Sequence, residues 1–185
     1  MFGWAAKWKE RRPDRLTRLA RAIESIAESD RKVIDESTRV DDLRAQGALD
    51  LHRICSAFVD KVNAKLSDPA ILLDPAVFEE RNYNDGGLNL FQINLRGRIL
   101  QIEFGPTDEL YEDDDFRRPY VLRGAVRSFN QDLLDHGSID EQMIFYCPSD
   151  HSSSNDARWH FFDGRTHRSG LVAEHYLITE MERLL

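Results

Sequence analysis

The feature that most constrains the fold is the alternation of apolar and polar side chains from Leu88 to Phe104. A period of two is typical of β-strands, and Arg96 with Gly97 at the centre predicts a hairpin closed by these two residues. Such a turn fixes the register, so Leu95 faces Arg98 and alternate side chains share a face. One face then carries Phe91, Ile93, Leu95, Leu100, Ile102 and Phe104, and the other is mostly polar, with Gln92, Asn94, Gln101 and Glu103. A strand pair that is apolar on one side only must be covered by other elements.

Helices are predicted on both sides of this region to supply the cover. A period near 3.6 residues runs from Pro13 to Ser29 and again from Val40 to Leu66, with a polar stretch from Asp30 to Arg39 between them. Gly47 is a point at which the second helix could break. Leu171 to Leu185 shows the same period at the carboxyl end. The second helix, about 40 Å long at 1.5 Å per residue, is the predicted cover for the apolar face of the hairpin.

The remaining strands define the fold class. Strand patterns occur at Val77 to Tyr83, Tyr120 to Phe129, Gln142 to Cys147 and Arg158 to Phe162. Consecutive strands with short connections form a meander, and segregated helices make the class α+β. The sequence therefore predicts an antiparallel five- or six-stranded meander sheet covered on one face by two N-terminal helices and one C-terminal helix. A strongly curled sheet that leaves a pocket beside its helix is the structural alternative.

We expect one domain over residues 1–185. Within it, the basic aromatic segment covers 1–12, the helical part 13–67, the sheet 77–162 and the C-terminal helix 171–185. Cys55 and Cys147 lie in a helical and a strand segment, and we predict two buried thiols rather than a disulfide.

Charge is distributed unevenly along the chain, whose formal net charge is -8. Residues 1–22 hold seven basic and two acidic side chains, a charge of +5, so the rest carries -13. An acidic body repels phosphates, and nucleic acid is not expected as a partner. No apolar run approaches the roughly 20 residues of a membrane span. The first residues also lack the apolar stretch of a secretory signal, so the predicted compartment is the cytoplasm.

Reactive side chains are densest near the carboxyl end, but their spacing matches no usual site. The types that bind metals there are Cys147, Asp150, His151, His160, Asp163 and His167. No Cys-x-x-Cys, His-x-x-x-His or His-Glu-x-x-His pair occurs among them, so we predict no metal site. The residue types of a catalytic dyad or triad also occur, at Cys147, Asp150, His151 and Ser152 to Ser154. No Gly-x-Ser-x-Gly elbow supports them, and we predict neither catalytic residues nor a cofactor.

The acidic segment from Asp108 to Asp115 lacks the residue order of a known calcium loop. We interpret it as solvated charge.

Anion binding is the chemistry with most support from the sequence. Arg123 and Arg127 lie four apart on one strand and therefore on one face, where Arg158, His160 and Glu103 from other strands can join them. Arginine suits phosphate and carboxylate groups. The competing interpretation, which we favour, is a ladder of ion pairs between these arginines and glutamates of other strands.

Together these patterns favour a non-enzymatic cytoplasmic binding or adaptor domain, either chaperone-like or neutralising basic partners, that forms a homodimer. The alternative is a small-molecule ligand binder or enzyme with a pocket between a curled antiparallel sheet and its covering helix, binding an anionic ligand. A third hypothesis is peripheral membrane contact through Phe2, Trp4 and Trp8. We favour docking of these aromatic side chains on protein over that hypothesis.

Overall fold

The computed structural model describes residues 15–111, 119–130, 140–148 and 157–185. Its helices are α1 (Arg15–Asn63) and α2 (Glu174–Glu182), and a short 3-10 turn spans Glu80–Asn82. The strands are β1 (Leu72–Asp74), β2 (Asn89–Leu95), β3 (Arg98–Tyr111), β4 (Tyr120–Asn130), β5 (Asp140–Cys147), β6 (Arg158–Asp163) and β7 (Arg168–Leu171). They form one antiparallel sheet in the order β1 to β7. The α+β class and the antiparallel meander are therefore confirmed.

The central hairpin has the predicted register. Asn89 pairs with Phe104, Phe91 with Ile102 and Leu95 with Arg98. Arg96 and Gly97 both have positive φ, 50° and 86°, as a two-residue turn between twisted strands requires. The turn chemistry therefore determines which side chains of β2 and β3 reach the core.

Two predicted helices are one in the structure, because α1 runs without interruption from Arg15 to Asn63. The segment Asp30 to Arg39 is polar, but it contains no glycine or proline. Its residues therefore lower the stability of a helix only slightly. A polar stretch can therefore continue a helix that has solvent around it. The chain nevertheless divides into two compact units, one ending at Arg39 and the other comprising Val40–Leu185. The single domain stays a prediction.

The strand count is also corrected, from five or six to seven. The segment Val77 to Tyr83 is not a strand, because the Asn82 side chain accepts a hydrogen bond from the Glu79 N–H at 2.9 Å and closes the 3-10 turn. The strands β1 and β7 were not predicted, since they have only three and four residues. The last helix begins at Glu174 rather than Leu171, which belongs to β7.

The core lies between one face of the sheet and the helices of the Val40–Leu185 unit. Its α1 side chains are Ala48, Leu51, Cys55, Phe58 and Val59, and its sheet side chains include Phe91, Ile93, Leu100, Ile102, Phe104 and Trp159. Tyr176, Leu177 and Met181 of α2 complete the cluster. The prediction that helices cover the apolar face of the hairpin is confirmed. Gly47 does not break α1.

The opposite face of the sheet is less uniformly polar than expected. Across strands, Arg123 pairs with Phe145 and Phe145 with His160, so all three share this face. Phe145 and Cys147 are buried there in a small second cluster with Tyr120. Both cysteines are free and buried, as predicted. No helix in the described part of the chain is both long and apolar enough to cross a membrane.

Candidate functional site

The arginines predicted to bind an anion lie on the face of the sheet opposite α1. Arg127 is paired there with two carboxylates, through its Nη1 with Glu103 at 3.0 Å and its Nε with Glu141 at 2.6 Å. The hydrogen bond from Glu141 is the main reason that the pKa of Arg127 is raised. This arrangement is an ion-pair ladder across β3, β4 and β5, in which Arg127 is already neutralised.

Apart from Glu103, the other predicted residues do not converge with Arg127. Arg123 is exposed, and the buried ring of Phe145 lies between it and His160 in the row that crosses β4, β5 and β6. Arg158 pairs with Cys147 in the next row along β6. The shared face is therefore confirmed by the register, whereas anion binding by the whole set stays a prediction.

A different concave site lies between α1 and the end of the sheet formed by β5, β6 and β7. It is a cleft of about 490 Å³. Its lining residues are Gln46, Asp50, Arg53, Ile54, Tyr146, Ala157, Arg158, Trp159, Leu171, Val172 and Ala173. The four α1 residues share one helix face because they are spaced at four, seven and eight residues. Of the predicted residues, only Arg158 lines this cleft.

Asp50 is the polar centre of the cleft. Its Oδ1 accepts a hydrogen bond from Gln46 Nε2 at 2.9 Å and lies 2.9 Å from Arg53 Nη2, while its Oδ2 accepts from the Tyr146 hydroxyl at 3.0 Å. The carboxylate is thus held by two side chains of its own helix and one of β5. Because three donors fix it, its orientation at the cleft is set before any ligand arrives.

Tyr146 acts in this cluster as a neutral donor. Burial of the ring, then the charge of Asp50 and the hydrogen bond to it, raises the pKa of Tyr146 above its usual range. The phenol therefore keeps its proton at neutral pH. Such a group positions a carboxylate and is unsuited to act as a base.

Trp159 forms a fixed wall of the cleft. Its indole N–H donates to the carbonyl oxygen of Gly47 at 2.7 Å, and its ring centroid lies 5.4 Å from that of Tyr146. The side chain is almost completely buried. Since the hydrogen bond locks the ring to α1, the apolar surface beside Ile54 and Val172 is already formed.

The rim of the cleft has one more positive than negative charge. Arg53 is paired with Asp50. Arg158 lines the edge of the cleft at the first position of β6, and its side chain starts on the face of the sheet opposite α1; it is exposed and has no hydrogen bond or ion pair with another described residue. Arginine at the edge of an apolar cleft suits a carboxylate or phosphate attached to an apolar group.

Several predicted sites fall partly or wholly outside the described residues. These are the aromatic side chains Phe2, Trp4 and Trp8, the second half of the acidic segment Asp108 to Asp115, and Asp150 to Ser154. The backbone of the acidic segment is described up to Tyr111, where it belongs to β3. Within the described part of the chain no group of three metal-binding side chains comes together. Asp163, one of the residues of metal-binding type near the carboxyl end, accepts hydrogen bonds within the turn after β6.

Comparison with protein-family models, curated proteins and solved structures found no match for this chain.

Proposed function

We propose that this chain is a binding domain that takes a small organic anion with an apolar body into the cleft beside Asp50. The observation that supports the proposal most is a preformed, half-apolar cleft whose lining carries two arginines, Arg53 and Arg158, and one acid, Asp50. The cleft volume of about 490 Å³ lies within the roughly 300 to 1,000 Å³ typical of small-molecule sites.

The lining gives each part of such a ligand a defined place. The anionic group would pair with Arg158, and the apolar body would lie against Ile54, Trp159 and Val172. Asp50 disfavours a second negative charge on the ligand at the helix side of the cleft. A ligand with one anionic end and one apolar end therefore fits better than a polyanion.

The proposal predicts that carboxylates stabilise the protein and that their neutral counterparts do not. Hexanoate and benzoate, compared with hexanamide, are suitable probes for thermal unfolding of the full chain. At ten times the dissociation constant, binding stabilises by about 1.4 kcal/mol, which raises the Tm by about 3 to 6 °C. In a Trp4→Phe/Trp8→Phe background the only tryptophan left is Trp159, so its fluorescence reports binding at the cleft directly.

Two matched variants locate the site. Arg158→Gln is expected to remove the Tm increase and the fluorescence change, because it removes the cation and keeps a side chain of similar length. Arg123→Gln is the control, since Arg123 is also an exposed strand arginine but does not line the cleft. If no carboxylate changes the Tm or the fluorescence, or if only Arg123→Gln abolishes the effect, the cleft proposal is wrong.

A protein-binding adaptor is the second candidate function. The observation that favours it is the set of exposed apolar side chains on the first half of α1, together with a charge of -13 outside residues 1–22. An acidic surface of this size would recruit basic proteins through long-range attraction. Sedimentation with polylysine tests this role: complexes are expected at 0.05 M salt and not at 0.5 M, and their absence at low salt would contradict it.

A further inference from the structure

The lining of the cleft carries charges of both signs next to each other. Its charged residues are Asp50, Arg53 and Arg158, and Asp50 Oδ1 lies 2.9 Å from Arg53 Nη2. A ligand carboxylate that reaches the guanidinium of Arg53 therefore also comes close to the carboxylate of Asp50. Because like charges repel each other at such distances, a simple carboxylate gains less from Arg53 than it would from an isolated arginine.

The carboxylate of Asp50 can accept a further hydrogen bond. An ionised carboxylate has about four acceptor positions. In the described structure Gln46 and Arg53 approach Oδ1, whereas Oδ2 accepts only from the Tyr146 hydroxyl. The Asp50 side chain is 24% exposed and lines the cleft, so a donor on the ligand can reach it.

We propose that the ligand of the cleft is an α-amino acid with an apolar side chain, whose ammonium group donates to Asp50 and whose carboxylate lies toward Arg53 and Arg158. This inference rests on the proposed binding of an organic anion in the cleft and adds one positive group to that ligand. In an α-amino acid a single carbon atom separates the two charged groups. Their spacing matches the adjacent opposite charges of Asp50 and Arg53, so the repulsion of a simple carboxylate is replaced by two attractions.

The wall of the cleft selects the side chain of the amino acid. Ile54, Leu171, Val172 and the ring of Trp159 supply an apolar surface, and the hydrogen bond from Trp159 to the carbonyl oxygen of Gly47 fixes that ring. An aliphatic side chain gains free energy by leaving water for this surface. An acidic or basic side chain would instead lose hydration there without a described partner of opposite charge.

A simple amine fits the lining less well than an amino acid does. It would pair with Asp50 but leave the two arginines without an anion, and the lining as a whole has one more positive than negative charge. Both charged groups of the ligand are therefore needed, and each can be removed separately in a matched series of compounds.

Such a series is L-norleucine, hexanoate, hexylamine and N-acetyl-L-norleucine. Norleucine is hexanoate with an amino group beside the carboxylate, and acetylation removes the charge of that amino group. Titrations of the full chain in the Trp4→Phe/Trp8→Phe background, followed by Trp159 fluorescence, give a dissociation constant for each compound. We expect norleucine to bind at least about five-fold more tightly than the other three, as one partly exposed ion pair implies.

Asp50→Asn tests which group reads the ammonium, because it removes the charge and nearly keeps the shape of the side chain. It should abolish the preference for norleucine over hexanoate. Asp42→Asn is the matched control: Asp42 is an exposed acid of the same helix and does not line the cleft, so the preference should persist. Circular dichroism and the Tm of each variant establish that it is folded, and N-acetyl-L-norleucine tests the same contact on the unaltered residue.

Two results would overturn the inference while the cleft proposal stands. One is equal affinity for norleucine and hexanoate, and the other is equal affinity for norleucine and its N-acetyl derivative. A preference for norleucine that survives Asp50→Asn would overturn the role of Asp50. If none of the compounds binds, the inference and the proposed function are both wrong.

Discussion

Asp50 is the residue through which the helix and the sheet meet at the cleft. Its carboxylate accepts hydrogen bonds from side chains of α1 and β5. Tyr146, which donates through its hydroxyl, lies 96 residues away in the sequence. Hydrogen bonds to a charged group contribute about 1.5 to 3 kcal/mol when they are partly shielded from water. The residues that shape the cleft are therefore also residues that hold the fold together, and ligand binding and stability are linked there.

Asp163 accepts hydrogen bonds that stabilise the turn between β6 and β7. Because its carboxylate titrates, it makes the stability of the protein depend on pH. Its Oδ1 accepts from the N–H groups of Arg165 and Thr166 at 2.9 and 3.2 Å, and its Oδ2 accepts from the Thr166 hydroxyl at 2.7 Å. The hydroxyl is the main cause of the lowered pKa of Asp163. A lowered pKa means that the charged carboxylate stabilises the folded state above the ordinary aspartate pKa, and that this contribution is lost as pH falls through the folded-state pKa.

We predict that Asp163→Asn lowers the free energy of unfolding by about 1 kcal/mol at pH 7, because it removes the charge and one acceptor. The difference from wild type should shrink as the pH falls below about 4. Urea unfolding at pH 7, 5 and 3.5 measures it, with Asp42→Asn as an exposed helical control. A difference that grows as the pH falls would contradict the assigned role of Asp163.

At the scale of elements, Gly47 sets how closely α1 approaches the sheet. A Cβ at this position would lie 2.6 Å from Cδ1 of Tyr146 and 2.7 Å from Cδ1 of Leu122, and both side chains are fully buried. The carbonyl oxygen of Gly47 also accepts the indole N–H of Trp159. The glycine is therefore required by close packing between a helix and a sheet, although the sequence pattern alone indicated a break.

Replacing Gly47 with alanine should destabilise the protein although alanine favours helices. The gain in helix propensity is about 1 kcal/mol, and overpacking of a filled core costs about 1 to 3 kcal/mol. We expect a net loss of up to about 2 kcal/mol together with altered Trp159 fluorescence. Gly164→Ala is the matched control, because its Cβ would meet only Phe162 Cε1 at 3.9 Å. Equal stability of the two variants would contradict the close approach.

The elements that were predictable from the sequence are those whose geometry is local. The register of β2 and β3 follows from the Arg96–Gly97 turn, and the predictions of the turn and of the register are both confirmed. The continuity of α1 does not follow from its polarity pattern, because a polar stretch without glycine or proline can continue a helix. A short strand such as β1 is defined by its pairing with the neighbouring strand. Its three residues are too few to show the alternation of apolar and polar side chains that identifies a strand in a sequence.

The cleft could not be predicted for a related reason. Gln46, Asp50 and Arg53 show helical spacing in the sequence, but nothing there indicates that Tyr146 and Trp159 lie beside them. That proximity follows from the order of the strands, which sequence patterns do not determine. Arg158 is a candidate because of its residue type, and it lies at the edge of the cleft as well as on the face of the sheet that carries Arg123.

At the scale of the whole molecule, regions of different chemistry belong to different compact units. The Val40–Leu185 unit contains the cleft, and the part of α1 before Val40 carries exposed leucine and isoleucine side chains. The ladder around Arg127 is a third region, already neutralised by its own carboxylates. The proposed binding of a ligand in the cleft can therefore be tested without altering the amino-terminal part of α1.

An organic anion that binds in the cleft between α1 and the end of β6 should change the environment of the residues that line it. Two-dimensional ¹H–¹⁵N NMR of the full chain, titrated with hexanoate, measures this change. We predict shifts at the indole N–H of Trp159 and at the backbone amides of Ile54 and Val172, with Arg127 and Glu103 unchanged. Shifts confined to the ladder face around Arg127, or none anywhere at millimolar hexanoate, would show that the anion does not bind in the cleft.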